Sequence, residues 1–191
     1  MKRHLDFADY FSFSNVVAGF LAIIFNDMRF IFIAALMDGF DGYFARKGYS
    51  GKYGKFVDSL ADFVSFGVAT AFFIPYYSLP YLLAGMYRLA RFTAEDTEDF
   101  MGFPITSSSL AVITSAILFG EFAAGFFSII LSFFMISNIT YKKIRNTALL
   151  SITAIILILS VFYTPAVYAL FVLNVLYLIS PPFHDKMGKY F

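Results

Sequence analysis

The stretch 31–67, IFIAALMDGFDGYFARKGYSGKYGKFVDSLADFVSFG, puts Asp38, Asp41, Asp58 and Asp62 inside two otherwise apolar segments. An ionisable side chain at the centre of a bilayer costs about 2.5–3.5 kcal/mol by insertion scales and is tolerated when it is paired or working. Four charges of one sign cannot neutralise one another. A pair of divalent cations is the economical partner. Asp38 and Asp41 are three residues apart and Asp58 and Asp62 four apart, so each pair shares one helix face. The intervening loop is short, which makes the two helices antiparallel neighbours and brings four carboxylates to one pocket.

The surrounding composition supports a membrane setting. The chain has 191 residues, 60% of them hydrophobic and 14% charged, a membrane protein's balance. Apolar segments fall at 10–26, 28–47, 54–76, 78–93, 104–120, 122–139, 147–163 and 165–181. They predict an all-α polytopic membrane protein, one domain over 1–191, with about eight transmembrane helices in one bundle. Pro80, Pro104 and Pro165 sit near predicted helix starts, where a missing N–H costs least. Cysteine is absent, which excludes disulfides and thiolate metal sites. The two histidines, His4 and His184, stand near opposite ends and argue against zinc. A net charge of +1 gives no reason to expect nucleic acid. The opening MKRHLDFADY lacks a small-residue cleavage pattern and reads as a cytoplasmic lead-in. The 27 Phe and 13 Tyr read as lipid-facing bulk, with tyrosines near the interfaces.

Basic residues orient the eight spans. Thirteen of the fourteen fall on one side, among them Lys2, Arg3, Arg46, Lys47, Arg88, Arg91 and Lys142, and only Arg29 is opposite. The positive-inside rule makes that side, both termini and the aspartate cluster cytoplasmic. Lys142, Lys143 and Arg145 read as topology and headgroup contacts. The acidic run 95–99 reads as a solvated loop, with gating of an acceptor's entry as the alternative.

Hard oxygen donors suit magnesium or manganese, with calcium as another possible occupant. Two such ions about 4 Å apart clamp a pyrophosphate and stabilise in-line displacement at phosphorus. Gly42 and Gly54 clear space for a close approach to backbone, Ala45 keeps the same face open, and Arg46 suits a bidentate phosphate contact. Intramembrane carboxylates also mark ion paths, so a cation transporter is the rival reading. Transport gives no reason for that small-residue set.

The pattern D-x-x-D-G-x-x-A-R, a spacer, then G-x-x-x-D-x-x-x-D, at positions 38, 41, 42, 45, 46, 54, 58 and 62, resembles the signature of the CDP-alcohol phosphatidyltransferases. The spacer 47–53 has seven residues, one fewer than that family's pattern. Asp58-Ser-Leu-Ala-Asp62-Phe-Val-Ser-Phe-Gly67, Ser14-Asn15, Arg88-Leu-Ala-Arg91-Phe and Gly102-Phe-Pro104 resemble the phosphatidylserine and archaetidylserine synthase branch.

That resemblance implies a membrane-embedded homodimer. It would transfer a phosphatidyl or archaetidyl group from CDP-diacylglycerol or CDP-archaeol to L-serine and release CMP. It implies Asp38, Asp41, Asp58 and Asp62 as ligands of two divalent cations, with Asp62 also the general base. Asn15, Gly42, Ala45, Arg46 and Gly54 are then the CDP-lipid contacts. A serine carboxylate wants an arginine fork, and Arg88 and Arg91, three apart on one face, are the expected acceptor contacts, Arg91 first. An acceptor such as inositol phosphate or glycerol phosphate remains the alternative within the family.

Overall fold

Helix α1 (Phe7–Phe25) starts where the Asp6 carboxylate caps its first turn and Asp9 reaches back to the Asp6 N–H at 2.7 Å, a reciprocal capping box. It ends at Asn26, which adopts the left-handed conformation with φ 50°. Its two faces are reversed relative to a soluble helix. Ser12, Asn15, Gly19 and Ala22 are buried, whereas Phe13, Val17, Phe20 and Ile24 are exposed. Small and polar groups face neighbouring helices and bulky apolar groups face outward, the arrangement that lipid favours.

The computed structural model describes residues 4–95, 99–143 and 146–181. Lys2, Arg3, Arg145, Lys186 and Lys189, used in the orientation argument, lie outside the described residues, as do His184 and 96–98 of the acidic run.

After α1 come α2 (Phe30–Arg46), α3 (Gly54–Asp62), a π-helical turn (Phe63–Val68) and α4 (Ala69–Phe72). Gly54–Phe72 is thus one helical run with a widened middle turn. A 3-10 turn (Pro75–Tyr77) leads into α5 (Ser78–Ala94), which departs at 117° from that run. Then follow β1 (Phe100–Met101), α6 (Ile105–Phe119), α7 (Glu121–Ile136), β2 (Thr140–Tyr141), α8 (Thr147–Phe162) and α9 (Thr164–Leu178). The fold is all-α, and every apolar segment expected from the sequence is a helix within a few residues.

Among the described residues, α1 alone is long and apolar enough by itself to cross a membrane. The bent pair Gly54–Phe72 and Pro75–Ala94 passes the same criterion together, and α6 to α9 are shorter apolar helices. The outer faces of α8 and α9 leave Ile152, Ile155, Phe162, Val172 and Leu176 exposed, a broad apolar surface of the kind that membrane or protein contact covers.

The core joins Ala18 and Ala22 of α1 to Ala34 and Ala35 of α2, and Phe66, Tyr81 and Ile113 among the later elements. Two pairs of buried polar groups are satisfied inside it. Thr70 and Ser109 share a 2.6 Å hydrogen bond, and the Tyr81 hydroxyl donates to the Phe66 carbonyl of the π turn at 2.9 Å.

Two elements were not expected. β1 and β2 pair antiparallel, Phe100 opposite Tyr141 and Met101 opposite Thr140, joining the α5–α6 connection to the α7–α8 connection. Gly102, at φ 77°, carries the chain over the Met135 carbonyl, where a Cβ would collide.

Candidate active site

Asp38 and Asp41 project from α2, and Asp58 and Asp62 from α3. One carboxylate oxygen from each of Asp38, Asp58 and Asp62 lies within 4.8 Å of the others. Three hard donors so close repel one another and fit a divalent cation that all of them contact. Asp41 sits beside them, within hydrogen-bonding reach of Asp58, and accepts from Ser12 Oγ at 2.5 Å.

Neighbouring helices orient the other carboxylates. Thr106 Oγ1, in the first turn of α6, donates to Asp38 Oδ2 at 3.2 Å. Asn15 Nδ2 on α1 donates to Asp62 Oδ1 at 3.2 Å. Ser65 Oγ of the π turn donates to the Asn15 carbonyl at 2.8 Å. Outer groups of this kind fix the direction of a ligating carboxylate.

A cavity of about 240 Å³ opens beside the cluster. Its wall includes Asp41, Gly42, Ala45, Gly54 and Asp58 from the two halves of the motif, Ser50 from the spacer, and Lys55, Phe92, Glu95 and Lys143. The small residues Gly42 and Ala45 therefore border open space. Gly54 has a second constraint, since a Cβ there would meet Ser50 Oγ and lie 2.8 Å from Asp9 Oδ1. Asp9 is fully buried and also accepts the Gly51 N–H at 3.3 Å, so the start of α1 holds the loop between the motif halves.

Other expected residues have different surroundings. Asn15 is buried on Asp62 and does not line the cavity; its Oδ1 has no partner among the described residues. Arg46 is exposed, with its guanidinium beside Gly42. Arg88 is 3% exposed, and its charge faces Asp62, Asp38 and Asp58. Its guanidinium lies 5.4 Å from the Phe92 ring centre and 5.2 Å from that of Phe100. It offsets part of the clustered negative charge, as a buried ion needs.

Arg91 turns away from the carboxylates. Its Nη2 donates to the carbonyls of Met101 at 2.7 Å, Ser137 at 3.0 Å and Met135 at 3.4 Å, and Nη1 to Asn138 Oδ1 at 3.3 Å. Those bonds tie α5 to the two strand-bearing connections. Arg91→Met is expected to destabilise the protein by roughly 3 kcal/mol or more, since bonds to a charged donor are worth about 1.5–3 kcal/mol each. Thermal melting checks this. A serine KM that rises in a variant of unchanged stability would point to acceptor contact instead.

Ser12, Thr106 and Asp9 were not singled out from the sequence. Ser12 stands three residues before Asn15 on one helix face, and Asp6 with Asp9 forms a readable cap pair. Nothing near Thr106 marks it.

Residues 11–180 match the sequence profile of the CDP-alcohol phosphatidyltransferase family. A protein of Methanocaldococcus jannaschii named CDP-diacylglycerol--serine O-phosphatidyltransferase is 31% identical over 86% of this chain and 88% of its own length. A Bacillus subtilis protein of the same name is 30% identical over 70% of this chain and 88% of its own. An archaetidylserine synthase of Methanothermobacter thermautotrophicus is 29% identical over 71% of this chain and 69% of its own.

Proposed function

Since the chain belongs to the CDP-alcohol phosphatidyltransferase family, whose members are membrane-associated and use divalent metals, we propose that it transfers a phosphatidyl or archaetidyl group from CDP-diacylglycerol or CDP-archaeol to the hydroxyl of L-serine, releasing CMP. The observation that carries this reading is one cavity wall holding Asp41 and Asp58 together with Gly42, Ala45 and Gly54. The acidic cluster supplies metal ligands, and the missing side chains leave room for a nucleotide. A cation path would need only the first of these.

Asp38, Asp41, Asp58 and Asp62 would hold two divalent cations, magnesium or manganese. When bound, these supply charge stabilisation at the phosphoryl oxygens and the leaving group. Asp62 accepts the serine hydroxyl proton. The serine oxygen bonds to the lipid-proximal phosphorus as the bond from that phosphorus to the bridging oxygen breaks, and CMP leaves with the electron pair. Ser12, Asn15 and Thr106 keep Asp41, Asp62 and Asp38 pointed at the reacting group, so little reorganisation is needed at the transition state. Arg46 contacts phosphate from the rim. Arg88 balances the cluster, and the bonds of Arg91 to main-chain carbonyls give it a scaffold role.

The test is the purified protein with radiolabelled CDP-lipid, magnesium or manganese, and a panel of acceptors: serine, inositol phosphate and glycerol phosphate. Serine should give labelled lipid and CMP. Exclusive use of a phosphorylated acceptor would overturn the serine assignment. Exhaustive chelation should abolish CMP release and either metal should restore it. Full activity after chelation would sink the metal reading.

The eight helical rods among the described residues, counting Gly54–Phe72 as one, support eight spans in a cell membrane; the protein would act there as a homodimer. Rods of 15–19 residues are about 22–28 Å long, close to the hydrocarbon thickness. Both termini and the active site would face the cytoplasm. Reporter fusions at each end should both score as cytoplasmic; one outside would refute the eight-span topology.

A further inference from the structure

The chemistry above uses the diphosphate of the donor and leaves its sugar without a partner. Asp41 and Asp58 stand four residues from Ala45 and Gly54, in each case on the side of the spacer. Four helical residues rise about 6 Å. With phosphate held at the level of the two acids, the ribose bonded to it falls at the level of Ala45 and Gly54. Ser50 borders the cavity there, and among the described residues of the wall it alone carries a hydroxyl.

Beside that hydroxyl lies a buried carboxylate with an unused oxygen. Asp9 is 1% exposed, and its Oδ2 accepts the Asp6 N–H at 2.7 Å and the Gly51 N–H at 3.3 Å. Its Oδ1 has no partner among the described residues. A buried acceptor in that state is rare enough to need a reason. Asp9 Oδ1 and Ser50 Oγ border one gap, the space a Gly54 side chain would fill. A Cβ there would lie 2.8 Å from Oδ1 and collide with Ser50 Oγ. The spacer is tied on either side of Ser50. The Ala8 N–H donates to the Tyr49 carbonyl at 3.0 Å, and the Tyr53 N–H to the His4 carbonyl at 3.5 Å.

We propose that Ser50 recognises the ribose of the donor, its Oγ donating to Asp9 Oδ1 and accepting a hydrogen bond from a ribose hydroxyl. Asp9 is then a positioning residue. The assignment rests on the CDP-lipid donor proposed above and deepens that reading.

The carboxylate decides what the hydroxyl takes. With its proton directed at Asp9, Ser50 presents lone pairs to the cavity. Phosphate oxygens bring lone pairs and negative charge of their own and are turned away. A sugar hydroxyl brings a proton. Gly54 gains a second reason to lack a side chain, since a Cβ would fill the gap across which Ser50 meets Asp9.

The test uses the full-length enzyme with CDP-lipid, serine and magnesium or manganese. It reads inhibition constants for CMP, 2′-deoxy-CMP, 3′-deoxy-CMP, UMP and inorganic pyrophosphate. In the unaltered enzyme one deoxy analogue should bind about two- to tenfold more weakly than CMP, the worth of one hydrogen bond. In Ser50→Ala, CMP itself should weaken by that factor and the deoxy penalty should vanish, with serine KM unchanged. Such non-additivity marks a direct contact. Asp9→Asn keeps an oxygen for the Asp6 and Gly51 N–H groups but turns an amide N–H toward Ser50, so the hydroxyl is no longer set to accept. The deoxy penalty should shrink there too.

Equal binding of CMP and both deoxy analogues by the unaltered enzyme overturns the inference, whatever the variants do. A penalty that persists in Ser50→Ala also overturns it. Pyrophosphate weakened as much as CMP would put Ser50 on phosphate, and a change confined to the CMP-to-UMP ratio would put it on the base; either result sinks the ribose contact. A full penalty in Asp9→Asn removes Asp9 from its positioning role. If the unaltered enzyme consumes no CDP-lipid, the functional reading fails; if it does and the penalty ignores Ser50, only this inference fails.

Discussion

Asp62→Asn is expected to lower kcat by about 10²–10⁴-fold, the range for loss of a general base. The KM values for CDP-lipid and serine should stay within a few-fold. The substitution keeps shape and an oxygen that can still accept from Asn15 Nδ2, so the contact between α1 and α3 survives. What disappears is the oxygen that takes the hydroxyl proton in the proposed mechanism, together with one of the three charges gathered within 4.8 Å. Steady-state assays at saturating metal separate these effects. A kcat recovered by raising the metal concentration would make Asp62 a ligand only, and a kcat within tenfold of the original would send the proton elsewhere.

The second large effect is structural in origin and catalytic in consequence. In Gly19→Val, the Cβ would stand 2.5 Å from Ser65 Oγ and 2.7 Å from Ser65 Cα. A side-chain oxygen can rotate away, but a backbone carbon moves only with its helix. Helix α1 must therefore withdraw from the π turn. Overpacking of a filled interior costs about 1–3 kcal/mol, sometimes more, and a backbone clash belongs at the upper end. As α1 retreats it takes Ser12 from Asp41 and Asn15 from Asp62, so kcat should fall together with melting temperature. Adding Ser65→Gly should restore only part of either, because the clash with the backbone at position 65 remains. A Gly19→Val protein with unaltered melting and turnover would show that α1 does not need this close approach.

Much of this was legible in the chain. The helices follow from apolar runs that start near Pro80, Pro104 and Pro165 and are separated by short polar turns, since an apolar helical run is a local property of composition. The meeting of Asp38, Asp58 and Asp62 follows from three- and four-residue spacing on two segments joined by a short loop. Those are relations between residues near in sequence, where helix periodicity alone sets which side chains share a face.

The tertiary structure decided what periodicity cannot reach. Arg88 and Arg91 share one face of one helix and look equivalent in the sequence. One is buried against the carboxylates, while the other is drawn to carbonyls of residues 135 and 137, which the β1–β2 pair brings beside it. Strands of two residues leave no alternation to read, yet that pair carries Lys143 to the cavity. Thr106 reaches Asp38 across 68 positions and Ser12 reaches Asp41 across 29. An isolated hydroxyl's partner depends on which helices pack together, and that is set by the close approach of small residues such as Gly19, Ala22, Ala34 and Ala35 over the whole bundle. The acids were therefore written locally in this sequence, and the groups that aim them were chosen by packing.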